Sequence, residues 1–126
     1  MKKIVLLFAI ALVSIGCSNS DNGGNSSSDK IIGTWGEYQE EYLPTNEIDT
    51  FITYQQVITF KSDGSVDSNY RGIPTTGTWE NLGNGIYKLS LSVKTVNQQI
   101  EFVGSNEMII YDDGNSSWAY YYEKTK

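Results

Sequence analysis

Tyr87-Lys88-Leu89-Ser90-Leu91-Ser92-Val93-Lys94 alternates strictly between apolar or aromatic and polar side chains. Successive side chains of a strand point to opposite faces, so Tyr87, Leu89, Leu91 and Val93 share one face. That face must be the interior. Outward from this stretch, from Lys30 onward, the chain shows no helical period. Short runs rich in β-branched and aromatic residues are broken by turn clusters at roughly 8–12 residue spacing, the pattern of an all-β sandwich or barrel. Candidate strands cover 31–43, 50–61, 65–71, 75–81, 86–96, 99–103, 106–112 and 117–124. Every connection is short enough for a hairpin. The simplest topology is an eight-stranded antiparallel up-and-down meander, which removes its vulnerable edges by closing into a barrel.

Turn chemistry extends the register. A two-residue turn at Asn97-Gln98 sets Val93 opposite Phe102 and turns Ile100 and Phe102 inward. Gly104-Ser105, with glycine first as a type II′ turn requires, sets Ile109 opposite Ile100. A loop around Asp113 to Ser116 keeps Ile109 and Tyr111 on the face of Trp118 and Tyr120. Ser62-Asp63-Gly64 fits a three-residue loop that pairs Phe60 with Val66. The predicted interior is therefore Trp35, Ile52, Tyr54, Ile58, Phe60, Val66, Trp79, Tyr87, Leu89, Leu91, Val93, Ile100, Phe102, Ile109, Tyr111, Trp118 and Tyr120. Strand one is ambiguous. Strict alternation from Trp35 points Glu37, Gln39 and Glu41 inward, whereas a bulge at Gly36 brings in Tyr38 and Tyr42. The bulge is favoured, because an unpaired buried carboxylate is costly.

Four stretches carry a resemblance: Ile31-Ile32-Gly33-Thr34-Trp35, Ile58-Thr59-Phe60-Lys61-Ser62-Asp63-Gly64-Ser65, Gly77-Thr78-Trp79 and Tyr120-Tyr121-Tyr122-Glu123-Lys124. In this order and spacing the chain resembles the small lipocalin-like lipoproteins of Bacteroidetes type, over about residues 30–124. The resemblance implies a barrel able to hold a small apolar ligand, with Trp35 closing its base. The chain is shorter than typical lipocalins and lacks their usual disulfide.

The N-terminus carries a second resemblance. Met1-Lys2-Lys3 precedes an apolar run from Ile4 to Val13, and Ser14-Ile15-Gly16 leads to Cys17, the sole cysteine. A positive head, an apolar run of about ten residues and small residues before a cut are the layout of a secretory signal. The run is shorter than the roughly 20 residues that span a bilayer. Ser14-Ile15-Gly16-Cys17 resembles the lipobox of bacterial lipoproteins, in which the cysteine is lipidated and becomes the new N-terminus. This implies a signal peptide over 1–16, a lipid anchor on Cys17 and a place in the cell envelope, at the outer membrane. Which face of that membrane the protein occupies stays open. From Ser18 to Asp29 the chain has no apolar side chain. Residues 17–29 are expected to be a disordered linker, and 30–126 the barrel domain.

Composition narrows the chemistry. Loss of residues 1–16 takes Lys2 and Lys3 from nine basic side chains and none from fifteen acidic ones, leaving a net charge of −8. Such a surface repels phosphate backbones, so nucleic acid is not an expected partner. There is no histidine, which removes histidine-based triads and most zinc sites. Glu40 and Glu41 are neighbours on a strand and cannot converge as acid and base. Asp112-Asp113-Gly114-Asn115 lacks the spaced ligands of a calcium loop and reads as a hairpin turn. No metal, cofactor or catalytic residue is assigned, and enzyme activity is not expected.

Two roles remain. Trp35, Tyr54, Trp79, Tyr111, Trp118 and Tyr120 are candidates to line a cavity for a small apolar or amphipathic molecule, or else they fill the barrel. The same register sends Val103, Met108, Ile110 and Tyr121 outward. Met108, Ile110 and Tyr121 are thus candidates for a surface that binds a partner such as an envelope protein, the role of an inhibitor or an envelope assembly component.

Overall fold

A computed structural model describes residues 28–111 and 117–126. The alternating patterns become nine strands: β1 Gly33–Tyr42, β2 Glu47–Thr50, β3 Gln56–Phe60, β4 Ser65–Tyr70, β5 Ile73–Gly83, β6 Ile86–Leu91, β7 Thr95–Val103, β8 Glu107–Tyr111 and β9 Trp118–Lys124. No helix occurs among the described residues. Consecutive strands from β3 to β9 pair antiparallel, and β1 pairs with both β3 and β9. These eight strands close a barrel. The short β2 pairs only with the far half of β1, from Gln39 to Tyr42, where β3 has not yet begun. The strand expected over 50–61 is realised only as β3 over 56–60, and β2 precedes it. The segment between them is held to β1 by Phe51 N donating to Tyr38 O and Gln55 N to Glu37 O.

Several turns match their sequences. Phe60 pairs with Val66 across 61–65, and Gly64 takes a φ of 83°, open to glycine without strain. Asn84 and Gly85 both have positive φ, as a two-residue type I′ hairpin demands.

Two other hairpins differ from expectation. The β6–β7 turn lies at 92–94 instead of Asn97-Gln98, so Val93 sits in the turn at 76% exposure and not in the core. Alternation reports which face a side chain takes, but not where the strand stops. Leu89 pairs with Val96, and Ile100 and Phe102 still face inward, because the new pairing keeps odd opposite even. The β7–β8 loop has three residues, Gly104 to Asn106, instead of two. Glycine at 104 supplies the positive φ that either loop needs, so its presence does not count the residues. This one-residue slip inverts β8. Ile100 pairs with Ile110, and Met108 and Ile110 are buried in the core, while Ile109 and Tyr111 face outward.

The corrected core is Ile31, Trp35, Ile58, Phe60, Val66, Trp79, Tyr87, Leu89, Ile100, Met108, Ile110 and Tyr122, with Leu91, Val96, Phe102 and Tyr120 packed against it. Ile52 and Tyr54, expected inside, are exposed on the segment between β2 and β3. Replacing Met108 by Ala should lower stability by about 2–4 kcal/mol through the cavity it leaves. Val93→Ala should change it by about 0.5 kcal/mol or less. Urea unfolding monitored by fluorescence checks the pair, and the opposite ranking would point to the two-residue register.

Candidate functional site

The two ends of the barrel are built differently. At the end where β1 begins and β9 finishes, rings fill the lumen. Trp35 and Phe102 lie 6.0 Å apart, Phe102 and Tyr87 6.3 Å, Tyr87 and Trp79 6.2 Å, and Trp79 and Phe60 6.1 Å between centroids. Each indole N–H is satisfied by backbone, Trp35 Nε1 donating to Ile31 O at 2.7 Å and Trp79 Nε1 to Lys61 O at 2.9 Å. The chain crosses this base before entering β1. Asp29 fixes the crossing: its Oδ1 accepts from Tyr87 OH at 2.8 Å and from Ile31 N at 3.1 Å, and its Oδ2 accepts from Asn81 Nδ2 at 2.6 Å. The ordered domain thus begins at least one residue before Lys30. Trp35 and Trp79, both candidate ligand contacts, are locked core residues of this closed end.

At the other end β1 carries a bulge. Glu37 pairs with Tyr122 and Gln39 with Tyr121, leaving Tyr38 as the extra residue. The bulge falls two residues later than the favoured position at Gly36. Its consequence is that Glu37 stays on the inner face with Trp35, and is buried. Beyond the bulge the inner face continues with Glu40, opposite Tyr120, and Tyr42, opposite Trp118. Tyr38, expected inside in the favoured alternative, faces outward.

Glu37 joins a chain of polar side chains across the lumen. It hydrogen-bonds Tyr122, Tyr122 OH donates to Gln56 Oε1 at 2.8 Å, and Gln56 Nε2 donates to Ser68 Oγ at 2.6 Å. Burial pushes the Glu37 carboxyl up to about 7, helped by Glu40, and outweighs Tyr122 and Arg71, which pull it down. A tyrosine hydroxyl has one proton to donate. With that proton on Gln56, the neutral Glu37 carboxyl donates to Tyr122 and every member of the chain is satisfied. Burial also holds the Tyr122 hydroxyl well above its ordinary value, so it stays protonated.

Above this polar floor the inner-face side chains are only half-buried. Tyr42 and Trp118 stack with centroids 4.9 Å apart, and Tyr120 and Gln56 are likewise half-buried. On the opposite lip Tyr70 and Ile73, paired across the β4–β5 turn, are 47% and 66% exposed. Of the six candidate ligand contacts, this end therefore gathers Trp118 and Tyr120. Tyr54 lies outside the barrel against Gly36, and Tyr111 faces outward.

The outer wall over β1, β8 and β9 is polar. Tyr38 OH donates to Glu107 at 2.6 Å, Tyr121 OH to Glu41 at 2.6 Å, Tyr54 OH to Glu123 at 2.5 Å and Tyr111 OH to Glu101 at 3.2 Å. The bond to Glu41 pushes the Tyr121 hydroxyl up to about 12. Tyr121 faces outward as expected, but Met108 and Ile110, its two expected neighbours on a partner surface, are core. Cys17 and the Asp112-Asp113-Gly114-Asn115 turn lie outside the described residues.

Sequence reading raised Glu37 as an inward residue and set it aside on the cost of burial. The cost is real, but it is met by neutralising the acid. Gln56 and Ser68 were missed, although each continues an inward alternation, Gln56-Ile58-Phe60 and Val66-Ser68.

No family model and no curated protein matches the chain. Among solved structures the barrel is similar to a lipocalin-like protein from Bacteroides uniformis, with a TM-score of 0.60 at 14% identity, over 76% of this chain and 99% of that one. The fold is lipocalin-like.

The neutral acid makes a pH prediction. Between about 4.5 and about 7 the folded state binds a proton at Glu37 that the unfolded state has lost. Stability contributed by this group is therefore full at low pH and falls as pH rises through that window, by up to about 3 kcal/mol. Glu37→Gln should flatten that slope and leave the variant more stable than the parent at pH 8, measured by urea unfolding at several pH values.

Proposed function

We propose that the protein is a lipid-anchored binding protein of the cell envelope, held at the outer membrane, that takes a small amphipathic molecule through the open end of its barrel. The observation that carries this reading is the contrast between the two halves of one lumen. At the closed end Trp35, Phe60, Trp79 and Tyr87 are buried and interlocked, with Phe102 half-buried beside them. At the open end the inward Tyr42, Trp118, Tyr120 and Gln56 remain half-exposed with nothing folded over them among the described residues. An eight-stranded barrel is just wide enough to be filled by side chains or to hold one small ligand. Here one half is filled. The open half offers aromatic surface at its rim and the half-buried Glu40 carboxylate on its inner face, which suits a molecule with an apolar body and a polar group.

The same arrangement supports the binding reading, since Glu37 is tied into the hydrogen-bonded chain through Tyr122 and Gln56, with Glu40 its acidic neighbour beyond the bulge. The protein-partner reading that used Met108 and Ile110 is left without those side chains.

The anchoring half of the proposal rests on Met1 to Cys17. A tether of about a dozen residues after Cys17 has a typical span near 20 Å, and the barrel begins at Asp29 on its closed end. The tether then attaches at the closed end, and the open end is the one remote from the attachment point.

A brominated long-chain alcohol should quench Trp118 at micromolar to millimolar concentration, and Trp118→Phe should remove most of that quenching. Absence of quenching at any concentration below aggregation would rule out the open-end site. Separately, Cys17→Ser should move the protein from the membrane fraction to the soluble or unprocessed pool, seen by fractionation and by loss of labelled acyl chain. Continued acylation would count against the anchor.

A further inference from the structure

The closed end is not sealed. Between Lys30, the β7–β8 turn at Gly104 and Ser105, and Lys124 lies a solvent-open depression of about 400 Å³, with Phe102 in its lining. Its position explains why Phe102 is only half-buried although it faces inward among buried rings. The volume falls within the roughly 300–1,000 Å³ usual for small-molecule sites. Lys124 pairs with Trp35 across β1 and β9, so it shares the inner face. Its Nζ stands 5.1 Å from the Trp35 ring centroid, a cation–π contact that holds the ammonium over the base.

Two of the nine basic side chains border this depression, in a chain with fifteen acidic ones. Lys61 pairs with Asp67 at 2.7 Å, whereas among the described residues neither Lys30 nor Lys124 forms an ion pair. The nearby carboxylates are engaged elsewhere. Asp29 is bound by Tyr87, Asn81 and Ile31 N, Glu107 by Tyr38, and Glu123 by Tyr54. Two ammonium groups thus border a hollow whose apolar wall is Phe102, and among the described residues no carboxylate forms an ion pair with either. A built Cβ on Gly104 meets nothing within 4 Å, so the turn side of the hollow is open.

We propose that this depression is a second binding site, for an anionic amphiphile: a phosphate-type head between Lys30 and Lys124, with the first part of its alkyl chain against Phe102. It is separate from the open end, and its chemistry is the opposite, since the open end presents Glu37 and Glu40 on its inner face. The head group has two sources, a phospholipid of the bilayer or a free amphiphile.

The probe is 12-bromododecyl phosphate below its aggregation threshold, added to the full chain carrying Trp118→Phe, so that the remaining tryptophans, Trp35 and Trp79, report the closed end. Quenching should saturate, and Lys30→Gln with Lys124→Gln should weaken binding by about tenfold or more, at roughly 1 kcal/mol per lysine. 12-Bromododecanol should bind about tenfold more weakly than the phosphate. Quenching that ignores the two lysines, equal binding of alcohol and phosphate, or no quenching of the Trp118→Phe chain would each overturn the site. Vesicles of phosphatidylglycerol brominated on its acyl chains separate the sources whether or not the chain is anchored: quenching of Trp35 and Trp79 that the double lysine variant loses assigns the bilayer lipid, and no such quenching beside lysine-dependent 12-bromododecyl phosphate binding assigns the free amphiphile. Loss of Trp118 quenching in the parent chain would end the open-end reading and leave this site standing.

Discussion

The β1–β9 ladder is the constraint on which the rest of this structure depends. The eight strands β1 and β3 to β9 form a curled sheet whose outer strands are β1 and β9, and the pairing of Trp35 through Tyr42 with Lys124 through Trp118 joins them. The ladder also brings residues from opposite ends of the domain into one lumen. Glu37 comes to face Tyr122, Glu40 to face Tyr120, and Tyr42 to face Trp118. None of these pairs is local in sequence. The bulge at Tyr38 within that ladder decides which carboxylates enter the lumen, because an extra residue exchanges the two faces of everything beyond it.

The rest of the fold shows how far local patterns reach. The all-β architecture, the strand count around the barrel and the inward faces of β3, β4 and β6 were legible, since alternation and turn chemistry are local signals. Loop length was not. Asn97-Gln98 was a plausible two-residue turn, but pairing β6 with β7 from Ile86 to Ser90 places the reversal earlier. That error left the inward face of β7 unchanged, because odd still opposed even. The slip at Gly104 did not cancel in the same strand: it exchanged Met108 and Ile110 with Ile109 and Tyr111. It was undone only on β9, where the pairing of Ile110 with Tyr120 returns Trp118 and Tyr120 to the inner face. Parity errors in a meander persist until another one reverses them.

The exchange on β8 has a chemical logic that the sequence does contain. Facing outward, Ile109 and Tyr111 lie beside Tyr121, Glu101 and Glu41, and hydroxyl-to-carboxylate bonds cover the wall. Facing inward, Met108 between Phe102 and Tyr122 and Ile110 between Ile100 and Tyr120 supply apolar volume, where a tyrosine hydroxyl at 111 would have needed a partner. Four tyrosine–glutamate pairs on the outer wall also explain how a chain so rich in tyrosine avoids a large apolar surface.

Glu37 shows why site residues are harder to read than faces. Burial cost argued against it, and for an ionised carboxylate that argument is sound. It overlooks that an acid can enter the core neutral when hydrogen-bond partners await it. In the neutral state the proton order runs from Glu37 to Tyr122 to Gln56 to Ser68, each donor finding one acceptor. Ionising Glu37 requires Tyr122 to turn its only proton back, which strips Gln56 Oε1 of its donor. The acid and the amide are therefore coupled through one hydroxyl, and the floor of the open half changes its hydrogen-bonding face near neutral pH. A ligand group that donates to Gln56 Oε1 would compensate the ionised form, so a bound donor should draw the Glu37 carboxyl below its unliganded value. The polar floor would then couple occupancy of the open end to the protonation of Glu37, through the contacts of Tyr122 and Gln56.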